Sequence, residues 1–171
     1  MIRAVRAVFP GLLTYSANWD HYDVPEFWDD LDFVGMSSYH RLSHSKEPAF
    51  SELVESWRNV RDRVFAWAKE NGKRVVFTEV GYPSLDDCNE YPWNYLLKNP
   101  VDLAEQADCY RAFTTVWRKE PMLQGVYFYE WWGEGGPDDK SYTPRGKPAE
   151  AVLREYFKKL AADVAATDPP R

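Results

Sequence analysis

The chain has 171 residues, 44% of them hydrophobic, with a formal charge of −6 and a pI near 5.1. This is the size of one domain with a real core, and the acidic balance excludes a nucleic-acid binder, which needs a basic stripe to displace counterions. No apolar run approaches the roughly 20 residues of a membrane span, and Met1 to Val8 has neither the apolar stretch nor the cleavage site of a secretory signal, so the compartment stays unknown.

Met1 to Phe9 reads as the end of a helix, with Ile2, Val5 and Val8/Phe9 apolar and Pro10-Gly11 as terminator. Leu12 to Asn18 reads as a strand, followed by a loop rich in Asp and aromatics and a brief helical stretch near Pro25 to Leu31. Asp32 to Tyr39 is the second strand. Ala49 to Asn71 is the clearest helix, because Phe50, Leu53, Val54, Trp57, Val60, Val64 and Trp67 recur at three- and four-residue steps and Asn71-Gly72 supplies a stop.

Lys73 to Val80 is the third strand, ended by Gly81-Tyr82-Pro83-Ser84. The loop that runs on to about Pro100 exceeds ordinary connections and points to function or insertion. Asp102 to Glu120 is a helix broken by Pro121, Gln124 to Trp132 a fourth strand, and Pro148 to about Ala162 the last helix. Residues 1–164 form the domain in this reading, and 165–171 a disordered tail. Strands alternating with helices imply a parallel sheet. Four units of about forty residues leave two architectures, a small open α/β sheet or half of a barrel that normally needs about 250 residues.

Chemistry gathers at the C-terminal ends of the strands: Ser16-Ala17-Asn18-Trp19, Ser37-Ser38-Tyr39-His40, Thr78-Glu79 and Glu130-Trp131-Trp132. In parallel α/β folds that edge binds ligands. Glu79 closes the apolar run Val75-Val76-Phe77-Thr78, and alternation puts it on the face of Val75 and Phe77. A carboxylate there can attack an anomeric carbon, or simply cap the strand in an ion pair. The eight tryptophans and eleven tyrosines suit sugar faces, although interfaces show the same enrichment. His21, His40 and His44 lack the spacing of a metal-binding helix, and Cys88 and Cys109 are too few and too far apart in sequence for a zinc cluster or disulfide framework. A single bridge or two free thiols remain, with free thiols preferred. Neither a metal nor a cofactor is expected. A Gly-rich phosphate loop and a G-x-S-x-G turn are both missing, which leaves an unrelated α/β enzyme little support.

Thr78-Glu79-Val80-Gly81-Tyr82-Pro83-Ser84 resembles the seventh-strand nucleophile segment of the large barrel clan of retaining glycosidases, most closely the β-mannanase-type family 113. Leu13 to Trp19, Asp32 to Tyr39 and Gly125 to Trp132 resemble that family's fifth, sixth and eighth strands, in the family's order. The resemblance implies half of a (β/α)8 barrel, four parallel strands in sequence order, with Glu79 as nucleophile. It further implies Trp131 as the ring under the sugar and Tyr39 as the group that orients Glu79; strand alternation then turns Glu130 to the helices. Asn18 and Trp19 would line the sugar site from the fifth strand, unless Asn18 is only a strand-end turn residue; independently of the resemblance, the long loop with Trp93 and Tyr95 either shapes a distal sugar subsite or is a packed excursion. The general acid/base of this clan ends the fourth strand, so it is expected upstream of Met1, and the chain alone is expected to be inactive on its β-linked, mannan-like polysaccharide. The rival reading is a non-catalytic half-barrel that binds sugar or assembles with another chain. Under either reading the open sheet edges invite self-association.

Overall fold

The structure, a computed structural model, describes residues 1–167. Eight elements follow one another: α1 (Ile2–Arg6), β1 (Ser16–Asn18), β2 (Phe33–Ser37), α2 (Phe50–Glu70), β3 (Arg74–Val80), α3 (Leu103–Trp117), β4 (Leu123–Phe128) and α4 (Pro148–Thr167). A single 3-10 turn, Trp28–Asp30, stands where a brief helical stretch was expected. The strands pair in parallel in the order β1-β2-β3-β4. Sequential order is that of a half-barrel; an open doubly wound sheet would reverse direction in the middle.

Helices cover one face of this sheet. Val34 and Met36 of β2, and Val75, Phe77 and Val80 of β3, are fully buried against them. Phe77 packs edge-on against Trp117 at 4.7 Å, and Phe113 lies 5.3 Å from Trp57 and 5.5 Å from Phe128. Each such ring contributes about 1.5–3 kcal/mol on burial. Much of the aromatic excess therefore serves the core: Trp28, Trp57 and Trp117 are buried, whereas Trp93, Trp131 and Trp132 are exposed. The other face of the sheet is open, with Ser16, Asn18 and Tyr127 exposed along it.

The long apolar periodicity of α2 matches its buried stripe Leu53, Val54, Trp57, Val60, Val64 and Ala68. Gly72 follows at φ +62°, a left-handed conformation that suits glycine. On α3, the Asp102 side chain accepts from Glu105 N and caps the first turn.

Among the boundaries that differ from the sequence reading, two lie in β1 and α4. β1 covers only Ser16–Asn18 rather than Leu12–Asn18, because its ladder to β2 runs only from Ser16↔Gly35 to Asn18↔Ser37. At its far end α4 continues to Thr167, three residues into the segment read as a disordered tail. Alanines 161, 162, 165 and 166 are the strongest helix formers and extend it. The remainder of that tail, 168–171, lies outside the described residues. No helix among the described residues is long and apolar enough to cross a membrane.

Candidate active site

A bulge in β3 decides where Glu79 points. Phe77 pairs with Met36 and Val126, but the next pairings are Glu79 with Ser37 and Val80 with Phe128. Thr78 and Glu79 together thus oppose the single residue Tyr127, one residue more than a regular ladder holds. Strict alternation would put Glu79 on the face of Val75 and Phe77, against the helices. The extra residue reverses the parity, so that Val80 takes the buried face with Val75 and Phe77, and Thr78 and Glu79 turn to the open one. Thr78 Oγ1 there meets Ser16 Oγ at 2.5 Å, reaching across β2 to β1.

At this edge the Tyr39 hydroxyl donates to Glu79 Oε2 at 2.6 Å. Burial, and next the bond to Glu79, hold the Tyr39 hydroxyl far above the usual phenol range, so it stays a neutral donor. The contact fixes one carboxylate oxygen.

Two more tyrosines complete the cluster. Tyr129 and Tyr142 lie edge-on to Tyr39 at 6.4 and 6.1 Å and to each other at 5.4 Å. The Tyr142 hydroxyl donates to Pro92 O at 2.7 Å and so joins the loop after β4 to the loop after β3. Lys147 strengthens this junction: its buried ammonium donates to Asp139 Oδ1 at 2.8 Å, Ser84 Oγ at 2.9 Å and Ser141 O at 3.0 Å. Gly81 permits the close passage of these loops. A Cβ there would stand 2.1 Å from Tyr129 O and 3.0 Å from the Tyr142 ring.

Asn18 reaches the same edge, where its Oδ1 accepts from Ser37 Oγ at 3.2 Å. Trp19 is committed elsewhere. Its indole stacks on Trp93 at 5.4 Å and meets the edge of His40 at 5.3 Å, while the Arg41 guanidinium lies over Trp93 at 5.5 Å. Trp93 is held between Trp19 and Arg41 and Trp19 between two rings, so this stack braces the loop rather than offering a clean platform. Tyr95 is 79% exposed in that loop.

The expected disposition of Trp131 and Glu130 is reversed. Trp131, 57% exposed, lines an apolar hollow of about 600 Å³ with Val126, Phe128, Leu153 and Phe157, at the free edge of β4 beside α4. Glu130 lies close enough to Tyr129 for its charge to raise that hydroxyl's pKa, and it adds to the rise that burial chiefly causes at Tyr142. The physical reason is that the ladder ends at Phe128, where Tyr129 N donates to Val80 O. Beyond it the chain leaves the sheet and alternation no longer holds. Tyr129 takes the place on the open face next to Tyr39 that the sequence reading gave to Trp131. Where the ladder ends is set by the distant strand β3, so no local signal marked Tyr129; Tyr142, in a loop of small and polar residues, offered none either.

The sequence profile described as Glycoside Hydrolase Family 113 matches residues 1–147. The chain is similar to the solved structure of the family 113 β-mannanase AaManA from Alicyclobacillus acidocaldarius, in complex with ManMIm, at 30% identity and a TM-score of 0.80, over 93% of this chain and 49% of that one. A family 113 β-1,4-mannanase gives 28% identity and a TM-score of 0.79, over 92% of this chain and 48% of that one. A β-glucuronidase from Ruminococcus gnavus, at 18% identity and a TM-score of 0.63, over 91% of this chain and 28% of that one, shares the fold. The chain thus spans about half the length of the mannanase structures it matches. No curated protein matches the sequence significantly.

Proposed function

The chain belongs to glycoside hydrolase family 113, and from that premise we propose that it carries the nucleophile side of a retaining β-glycosidase site acting on a mannan-like polysaccharide. The observation that carries this reading is the Tyr39–Glu79 contact at 2.6 Å on the open face of the strand ends. Glu79 Oε1 attacks the anomeric carbon while the bond to the leaving oxygen breaks, and that oxygen takes a proton from a second carboxyl group. Water then cleaves the glycosyl ester with the second group as base, returning the proton and restoring the carboxylate. Tyr39 holds Oε2 and so aims Oε1. Tyr129 stands beside them as the ring over which the sugar packs, in place of Trp131, and Asn18 lines the opposite side through its contact with Ser37.

Retention requires the two carboxyl groups to lie about 5–5.5 Å apart in one mouth. By the resemblance the second group ends a fourth strand, whereas the strands here correspond to the fifth to eighth, so it comes from residues outside this sequence. Glu130 is not assigned that role.

The test combines the purified chain with a polypeptide carrying the first four βα units of a family 113 mannanase and measures hydrolysis of an aryl β-mannoside. The expected result is activity that appears only in the mixture and disappears with Glu79→Gln. Equal activity of the Glu79→Gln mixture would sink the assignment. Hydrolysis by the chain alone, lost in Glu79→Gln, would show instead that no second polypeptide is needed.

A further inference from the structure

We propose that Cys88, Glu105 and Cys109 form a binding site for a thiophilic divalent cation of the zinc class. In sequence these residues look unrelated; the fold brings them together. Glu105 and Cys109 stand one turn apart on the buried side of α3, and Cys88 descends onto them from the loop after β3. The two sulfurs and a carboxylate oxygen all lie within 4.8 Å of one another. Tetrahedral zinc, with bonds of about 2.3 Å to sulfur and 2.0 Å to oxygen, draws such atoms to about 3.5–3.8 Å apart, a contraction within reach of side-chain rotation. Both thiols are fully buried and Glu105 is 9% exposed.

The surroundings have the form of a metal site's outer layer. Asn89 N and Nδ2 donate to Glu105 Oε1 at 2.7 and 2.6 Å, and Asp87 N donates to Oε2 at 3.1 Å. The carboxylate is thereby held in orientation, which is how supporting hydrogen bonds fix ligating carboxylates, and the Cys88 side chain lies within hydrogen-bonding reach of it. Among the described residues no Lys, Arg or His forms an ion pair with Glu105.

Two further observations point to a ligand. The Tyr82 hydroxyl, in a residue 1% exposed, has no hydrogen bond of normal geometry. It lies within electrostatic reach of both thiols and beside the Trp57 side chain, and three protein ligands leave the fourth position to a water. In addition, Asp86 and Asp102, both partly exposed, place carboxylate oxygens within 4.8 Å of one on Glu105. They place further negative charge on the partly exposed side of Glu105. On binding, each thiol releases its proton to solvent, and two thiolates and one carboxylate coordinate the dication. The bound ion would pin the loop after β3, and with it the Pro92–Tyr142 junction, to α3.

The test needs no enzymatic activity and is independent of the glycosidase reading. The purified, reduced chain is titrated with Co2+ and then Zn2+. Expected are one ion per chain, a thiolate-to-cobalt charge-transfer band that Zn2+ bleaches, protection of both thiols from an aromatic disulfide reagent, and a rise in the unfolding midpoint that a chelator reverses. Cys88→Ser and Cys109→Ser, small changes that preserve the packing, should each weaken binding about 100-fold while the metal-free circular dichroism stays unchanged. Absence of the charge-transfer band overturns the site, as does undiminished binding by the Cys88→Ser/Cys109→Ser double variant. A mass deficit of two hydrogens in the native protein, marking a Cys88–Cys109 disulfide, overturns it as well.

Discussion

Tyr39 and Glu79 leave neighbouring strands yet share one short hydrogen bond, 2.6 Å from hydroxyl to Oε2, because the bulge in β3 turns Glu79 onto the face that Tyr39 overlooks. Removing the hydroxyl while keeping the ring isolates this bond. Tyr39→Phe is expected to lower kcat of the reconstituted barrel about 10–100-fold, the value of a hydrogen bond to a charged group at roughly 1.5–3 kcal/mol, and to leave KM within a few-fold. Steady-state kinetics on an aryl β-mannoside, with the unfolding midpoint as control, checks it. An unchanged kcat would remove Tyr39 from the site.

Gly81 is a second point of leverage. Gly81→Ala places a methyl group 2.1 Å from Tyr129 O, which is backbone and cannot swing aside. The expected cost is at the upper end of the roughly 1–3 kcal/mol of overpacking, with Tyr129 and Tyr142 displaced from Tyr39. Urea denaturation reads the first effect and the near-ultraviolet circular dichroism of the tyrosines the second.

His40 sets an acid limit on stability. It is buried between Trp19 and Trp57, and burial, then the charge of Arg63, depress its pKa to about 3, opposed weakly by Asp20. The folded value lies below the unfolded one of about 6.5, so only the unfolded chain takes up this proton in the interval between. This contribution is complete above pH 6.5 and falls toward pH 3, by at most about 1.4 kcal/mol per pH unit. Urea midpoints measured from pH 7 to 4 should drop less steeply in His40→Gln than in the parent chain. Parallel slopes would contradict the assignment.

Self-association is expected through the open edges. The free edge of β4 borders the hollow of Val126, Phe128, Trp131 and Phe157, and that of β1 borders one of about 650 Å³ with Ile2, Val5, Leu13, Tyr15 and Phe27. Apolar hollows beside unpaired strands recruit further chain. Sedimentation of the chain at micromolar concentration should show species heavier than 20.0 kDa, reduced in Phe157→Lys. A monomer across the whole concentration range would refute this.

Much of the architecture was legible because it is local. The stripe from Leu53 to Val64 announces α2 without reference to any other element, and Asn71-Gly72 ends it by backbone preference alone. The strand–helix alternation, together with strand ends that all turn polar, marked a candidate edge that carries Glu79, Tyr39 and Asn18. Trp131 was misplaced for a definite reason. Alternation is a rule of paired strands, and whether pairing persists past Phe128 depends on a partner, Val80, that lies 48 positions earlier in the chain.

By itself, then, the order of residues determined which segments coil, which extend and which edge gathers reactive groups, since those follow from side-chain period and turn chemistry within a few neighbours. The tertiary structure alone decided which way Glu79 faces, that Tyr129 and not Trp131 stands beside it, and that Cys88 meets Cys109. Each of these depends on registers and loop paths set by contacts between distant segments, and one extra residue in a ladder is enough to exchange the two faces of a strand.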